Sequence, residues 1–168
     1  AARAARDRAA KARVISSIGA FCAGKPTAGQ ANGNLDPASL CPLWMAPGQR
    51  LRGDAAKAFD AMSQYHASSP GPPLCVTDSY RSYQQQVELY RRKPGLAAVP
   101  GTSEHGWGRA VDLHGGNENT RSPAYNSMKA YAGTFGLVHP CWARADASSP
   151  SPPPRDVRPW RLPPLVRA

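Results

Sequence analysis

Ser103-Glu104-His105-Gly106-Trp107-Gly108-Arg109-Ala110-Val111-Asp112 sets one imidazole and one carboxylate seven residues apart across two glycines. Both side chains are good Zn²⁺ ligands, and two ligands from so short a segment need a backbone that turns sharply between them. Gly106 and Gly108 supply that turn. From Arg109 to Leu113 the residues alternate as in a strand, so Ala110 and Asp112 share one face while Val111 and Leu113 take the other. A small Ala beside Asp112 leaves room for an ion. On spacing alone such a segment is more often a loop followed by a strand with one satisfied carboxylate, so the metal reading needs support from elsewhere.

Composition supplies the frame. The chain has 168 residues, 41% of them hydrophobic, with four Trp, which is enough for one globular domain with a real core. A formal net charge of +10, from 21 basic and 11 acidic residues, predicts attraction to polyanions: nucleic acid, an anionic lipid surface or an anionic cell wall. The excess lies largely at the two ends rather than in a groove with interleaved aromatics, which argues against nucleic acid. No run of eighteen or more apolar residues is present, so no membrane span is expected. The start carries neither an initiator Met nor a signal-peptide pattern and reads as a processed form or a fragment.

Cys22, Cys41, Cys75 and Cys141 are an even number with no Cys-x-x-Cys pair, which suits disulfides in an extracytoplasmic protein better than a zinc knuckle. Three pairings are possible. Cys22 with Cys41 would close a short loop and leave Cys75 and Cys141 for each other or free; four reduced buried thiols are the alternative.

Residues 1–21 read as a basic, Ala-rich helical extension with no large apolar face in its first thirteen residues. Asp54 to Ala67 is a helix with Phe59, Met62 and Tyr65 or His66 on one side, a core stripe that makes His66 structural. Ser68 to Pro73 breaks it, and Leu74 to Asp78 has the look of a strand. Ser82 with Gln85 forms a capping box for a helix whose apolar face is Tyr83, Val87 and Tyr90. Arg81 therefore stands at a strand-to-helix junction, where a guanidinium can meet a carboxylate in a forked pair. Ser122 and Pro123 open a further helix that carries Tyr125, Met128 and Ala132 inward and ends near Gly136, before a short strand Leu137 to His139.

Ser103-x-His105-x-x-Gly108-x-Ala110-x-Asp112 resembles the signature of the VanY-type D-alanyl-D-alanine carboxypeptidases, zinc peptidases of the bacterial cell wall. Tyr80-Arg81-Ser82-x-x-x-Gln86 resembles a second motif of that family. The resemblance runs from about Cys22 to Trp142 and implies an α+β fold with a small antiparallel sheet flanked by helices, of the hedgehog and D-Ala-D-Ala-peptidase kind. It makes residues 22–142 the core domain and residues 143–168 a Pro/Arg-rich tail. It also implies that His105 and Asp112 bind zinc, that Arg81 is catalytic and meets the substrate's carboxylate or scissile carbonyl, and that Tyr80, Gln86 and Ser103 belong to the substrate site. The implied partner is a peptidoglycan stem peptide, with the anionic wall as a second attraction, and the implied state is a secreted or wall-associated monomer.

The resemblance fails after Trp142. Relatives carry a Glu-x-x-His on the last strand, within Pro-Trp-His, whose His is the third zinc ligand and whose Glu is the general base. This sequence contains no Glu-x-x-His. If Pro159-Trp160 is matched to that Pro-Trp, Arg158 stands in place of the Glu and Arg161 in place of the His. A guanidinium neither ligates zinc nor takes a proton from water. Seven prolines in the 26 residues from Ala143 are also incompatible with a central strand, so the last core strand reads as missing or altered. His114, two residues from Asp112, and His139 are the weak candidates for a third ligand. Glu104, Glu118, Asp146 and Asp156 are undistinguished candidates for the base. The expectation is a zinc peptidase-like domain with impaired turnover; the alternatives are a non-catalytic module that binds wall peptides and, last, a basic nucleic-acid binder.

Overall fold

The computed structural model describes residues 22–68, 74–116, 119, 121–139 and 160–161, with Ala5, Arg6, Arg8, Ala9, Ala12 and Arg13 before them. Those six are helical and exposed. The rest of the basic extension, the breaker after Ser68, Cys141, and the tail apart from residues 160–161 lie outside the described residues.

The compact part begins with a hairpin that the sequence reading did not expect. Strand β1 (Leu40–Leu43) pairs antiparallel with β2 (Ala46–Arg52), Leu40 opposite Arg52 and Cys41 opposite Leu51, with an irregularity after Pro42. Pro42 and Pro47 hide it, because a proline in a run argues against a strand. They are tolerated here because Pro42 adjoins the register shift and Pro47 falls in the irregular part of β2, between the paired Ala46 and Arg50. The Cys22–Cys41 disulfide ties the preceding loop to β1, whereas Cys75 is in no disulfide.

Helix α1 (Gly53–Ser68) follows directly and buries Phe59 and Met62 completely. Tyr65 packs against the edge of the core, and His66 meets the Tyr131 hydroxyl through Nδ1, its pKa pushed down by burial. Strand β3 (Cys75–Asp78) leads through Ser79–Ser82 to α2 (Tyr83–Arg92), whose N-terminus carries the capping box of Ser82 and Gln85. The inward residue of α2 is Gln86, not the expected Tyr83, Val87 and Tyr90 stripe: Tyr83 is 43% exposed and Gln86 only 2%. The reason is polar. Gln86 accepts from Arg81 through Oε1 and donates from Nε2 to Ala98 O at 2.7 Å, so this short helix docks through a strut rather than an apolar face.

A 3-10 turn (His105–Trp107) then feeds β4 (Ala110–His114), which buries Val111 and Leu113 in the core. Helix α3 (Pro123–Ala132) starts at the Ser122 cap and turns Tyr125, Met128 and Ala132 inward. The expected strand over Leu137 to His139 reduces to a single bridging residue, Val138. In its place β5 (Trp160–Arg161) pairs antiparallel with β4, giving a sheet of order β3-β4-β5. A last strand is thus present. Two residues of it are described, and among the described residues it ends the strand order.

Candidate metal and substrate site

The loop that carries His105 is fixed by backbone bonds from three directions. Gly33 N donates to Gly106 O at 2.8 Å, Arg52 N to Gly108 O at 2.7 Å and Arg81 N to His105 O at 3.2 Å. Gly108 has φ 63°, a left-handed conformation that closes the turn and that a side chain would strain. Gly106 is required for space: a Cβ there would sit 2.0 Å from Asn32 Oδ1 and 3.0 Å from Gly33 N. Asn32 is buried beneath it and donates to Ser103 O at 2.7 Å, while Ser103 Oγ accepts from the His105 amide at 3.2 Å.

His105 is fully buried, and its Nδ1 lies 2.7 Å from Ser79 O. A carbonyl can only accept, so Nδ1 carries a proton, and in the neutral form of the ring Nε2 presents a lone pair. Nε2 has no hydrogen-bond partner among the described residues and lies 3.6 Å from Asp112 Oδ2. That distance is beyond a hydrogen bond, and two acceptors facing one another repel. With the ring neutral, a divalent cation between them would give the Nε2 lone pair a partner. A carbonyl that accepts from Nδ1, as Ser79 O does, is a partner that metal-ligating imidazoles generally have.

Asp78, at the end of β3, stands opposite Asp112 in the register of β3 with β4. It was not singled out from the sequence. Ligand atoms of Asp78, His105 and Asp112 all lie within 4.8 Å of one another. Neither expected third ligand joins them among the described residues. His114 is exposed, with Nε2 2.7 Å from Cys75 Sγ; His139 is buried, with Nδ1 2.9 Å from the Tyr125 hydroxyl. Cross-strand pairing of Cys75 with His114 and packing under α3 take these two rings elsewhere.

Arg81 is 8% exposed and held from two sides: Asp78 Oδ2 accepts from Nε at 3.1 Å and from a terminal nitrogen, and Gln86 Oε1 accepts from Nη1 at 2.6 Å. Gln86 and Ser103, which the resemblance assigns to the substrate, are both buried and give polar atoms to Arg81, Ala98 O and the His105 amide. Tyr80 lines an open groove of about 770 Å³ with Leu35, Leu40, Arg50 and Ser82, and its hydroxyl accepts from Leu35 N. Of the candidate bases, Glu104 is ion-paired with Arg109. Glu118, Asp146 and Asp156 lie outside the described residues.

The sequence model of the VanY D-alanyl-D-alanine carboxypeptidases matches residues 48–147, which contain the whole His105, Asp112 and Arg81 constellation. The chain belongs to the VanY family. No curated protein matches it in sequence. Among solved structures it is similar to LdcB, an LD-carboxypeptidase whose structure concerns peptidoglycan recognition, with TM-score 0.60 and 19% identity over 77% of this chain and 70% of that one. It is similar to VanYB in complex with D-alanine-D-alanine, with TM-score 0.57 and 22% identity over 73% and 76% of the two chains. A VanY mutant from a VanB-type resistance cassette in complex with Zn(II) gives TM-score 0.55 and 19% identity over 73% and 77%. These likenesses share the carboxypeptidase fold, mixed α and β with small antiparallel sheets, that the VanY family membership carries.

Proposed function

We propose that this VanY-family domain holds one divalent ion, zinc in the first instance, between His105 and Asp112, and binds D-alanyl-ended cell-wall peptides beside Arg81 with impaired hydrolysis. The observation that carries the reading is the buried Nε2 of His105, without a hydrogen-bond partner among the described residues and aimed at a carboxylate. The ion, when bound, supplies Lewis-acid polarisation of a scissile carbonyl. Ser79 O keeps the imidazole in the tautomer that offers Nε2 outward. Arg81, braced by Asp78 and Gln86, presents a planar cation suited to a peptide carboxylate or a developing oxyanion. The neighbouring groove at Tyr80 has room for the extended part of a stem peptide. VanYB with D-Ala-D-Ala supports that choice of ligand, and the Zn(II)-containing VanY that choice of ion.

Impairment follows from the missing Glu-x-x-His. Residue 161, which the resemblance equates with the zinc-binding His, is an Arg and pairs with Ala110 in β4. Loss of a general base is worth about 10²- to 10⁴-fold in rate. We place the domain outside the cytoplasm, where wall peptides are found and where the Cys22–Cys41 disulfide persists. Metal content by elemental analysis, with D-Ala release from a muramyl pentapeptide, tests this. One equivalent of ion with release at least about 100-fold below an intact relative is expected; brisk hydrolysis contradicts the impairment, and an ion-free protein that takes up no zinc contradicts the metal site.

A second reading, a peptide-binding module without catalysis, is favoured by the same Arg161. It expects stem-peptide binding that Arg81→Ala weakens by about ten-fold or more, as loss of a charge-assisted pair does; unchanged binding in that variant counts against it.

A further inference from the structure

The missing third imidazole leaves a question that β3 answers. We propose that Asp78 is the third protein ligand of the ion, so that this chain holds metal with one imidazole and two carboxylates rather than two imidazoles and one carboxylate. The inference rests on the metal-binding reading above and goes beyond it in naming a residue on a different strand. Asp78 and Asp112 are opposite one another across an antiparallel pair, with the register shift between Val76 and Asp78. Residues so placed project from the same face with Cβ atoms about 5 Å apart, close enough for one cation to meet both carboxylates. The fully buried Nε2 of His105 completes the triangle, all three ligand atoms falling within 4.8 Å. Donors about 2.1 Å from one ion in tetrahedral geometry are about 3.4 Å apart, so small side-chain rotations close the set.

Asp78 is already engaged. Its Oδ2 accepts from Arg81 and its Oδ1 from Ser79 N at 2.8 Å. A carboxylate oxygen keeps a second lone-pair direction, so Asp78 can bridge ion and guanidinium, and Arg81 then orients the ligand as an outer partner. Its side chain is 36% exposed, which leaves it access to an incoming ion. The bridge couples the two halves of the site, because the group that places the peptide-facing guanidinium also holds the ion. Its chemistry also differs from a two-imidazole set. Two carboxylates offset the charge of a divalent ion fully, and harder oxygen donors narrow the preference for zinc over manganese.

Chelator-competed titration of the full chain with Zn²⁺, Co²⁺ and Mn²⁺ tests this, with the Co²⁺ visible spectrum as the second readout and melting in EDTA as the folding control. Variants are Asp78→Asn, Asp78→His and His105→Ala. The expectation is that Asp78→Asn weakens Zn²⁺ by about ten-fold or more. Asp78→His should keep binding, shift the Co²⁺ bands as a nitrogen replaces an oxygen, and lose Mn²⁺. Should Asp78→Asn and Asp78→His both match the parent in affinity and spectrum while His105→Ala abolishes binding, Asp78 is not a ligand and the metal-site reading stands. Should His105→Ala match the parent, or the parent take up no ion, the metal-site reading itself fails. If Asp78→Asn does not fold in EDTA, Asp78→His alone decides through the spectral shift.

Discussion

The two sides of strand β4 are built to very different standards. On one side the His105 loop is clamped by amides from Gly33, Arg52 and Arg81, floored by Asn32 and tied through β2 to a disulfide-anchored hairpin. On the other side lies β5, two residues paired to Ala110 and Val111, carrying an arginine where relatives are expected to have the ligating histidine. The contrast teaches that, in the site proposed above, ligands from a single segment are held by local bonds, whereas a ligand from a distant strand would depend on that strand's pairing. A one-segment site needs its turn and its braces, all local or nearly so. A ligand on the last strand needs that strand's register, which among the described residues spans two positions.

The largest effect expected on the braced side is from Gly106→Ala. The new Cβ would meet Asn32 Oδ1 at 2.0 Å, and either Asn32 gives up its bond to Ser103 O or the turn carrying His105 moves. Overpacking together with an unsatisfied buried amide costs about 4 kcal/mol. Denaturant melts should show that loss, and zinc affinity in the folded fraction should fall with it. A variant as stable as the parent, with unchanged zinc affinity, would mean that the loop is far softer than its bonds indicate and that the two sides of β4 do not differ as described.

Much of the braced side was legible in the sequence because its signals are short-range. The His-Asp spacing across glycines, the Ser82 and Gln85 capping box, the Ser122-Pro123 helix start and the Tyr125, Met128, Ala132 stripe each depend on residues within about two turns of one another. What was not legible is pairing. Nothing in Leu74 to Asp78 tells that Asp78 will stand opposite Asp112, since antiparallel register is set by the packed sheet. The strand ending in a carboxylate just before Tyr80-Arg81 was the one available hint. Gln86 was misjudged for a related reason. An amphipathic pattern predicts an apolar face inward, and here a buried guanidinium makes a polar strut worth more than a tyrosine contact.

Next in size is the disulfide. Cys22 and Cys41 close a loop of 19 residues' separation, which by chain entropy stabilises by about 3 kcal/mol. Gly53, at the start of α1, lies under the same loop: a Cβ there would fall 1.8 Å from Ala23 O, so the loop sits hard against the hairpin's exit. Reduction, or Cys22→Ser with Cys41→Ser, should lower unfolding free energy by about that amount while leaving metal stoichiometry in the folded protein at one. A loss of less than about 1 kcal/mol would show that the backbone bonds around Gly33 and Gly106 brace the loop without help, sharpening the contrast with β5 rather than removing it.

The smallest effect concerns the hairpin's turn and depends on pH. Trp44 N donates to Oδ1 of Asp60, a carboxyl only 8% exposed, and burial raises its pKa to about 6. Because the folded value lies above the usual carboxylate value near 3.8, the folded state binds the proton more tightly than the unfolded chain does. Stability from Asp60 is therefore complete below about pH 4 and is lost as pH rises through about 6, at a cost of up to about 3 kcal/mol above pH 7, which the carboxyl's remaining hydration reduces. Asp60→Asn keeps an acceptor for Trp44 and removes the buried charge. It should melt higher than the parent at pH 8 and together with it at pH 4. A variant less stable at both pH values would mean that the ionised carboxylate earns its place through the turn, and that the braced side of the molecule relies on charge where burial argues for neutrality.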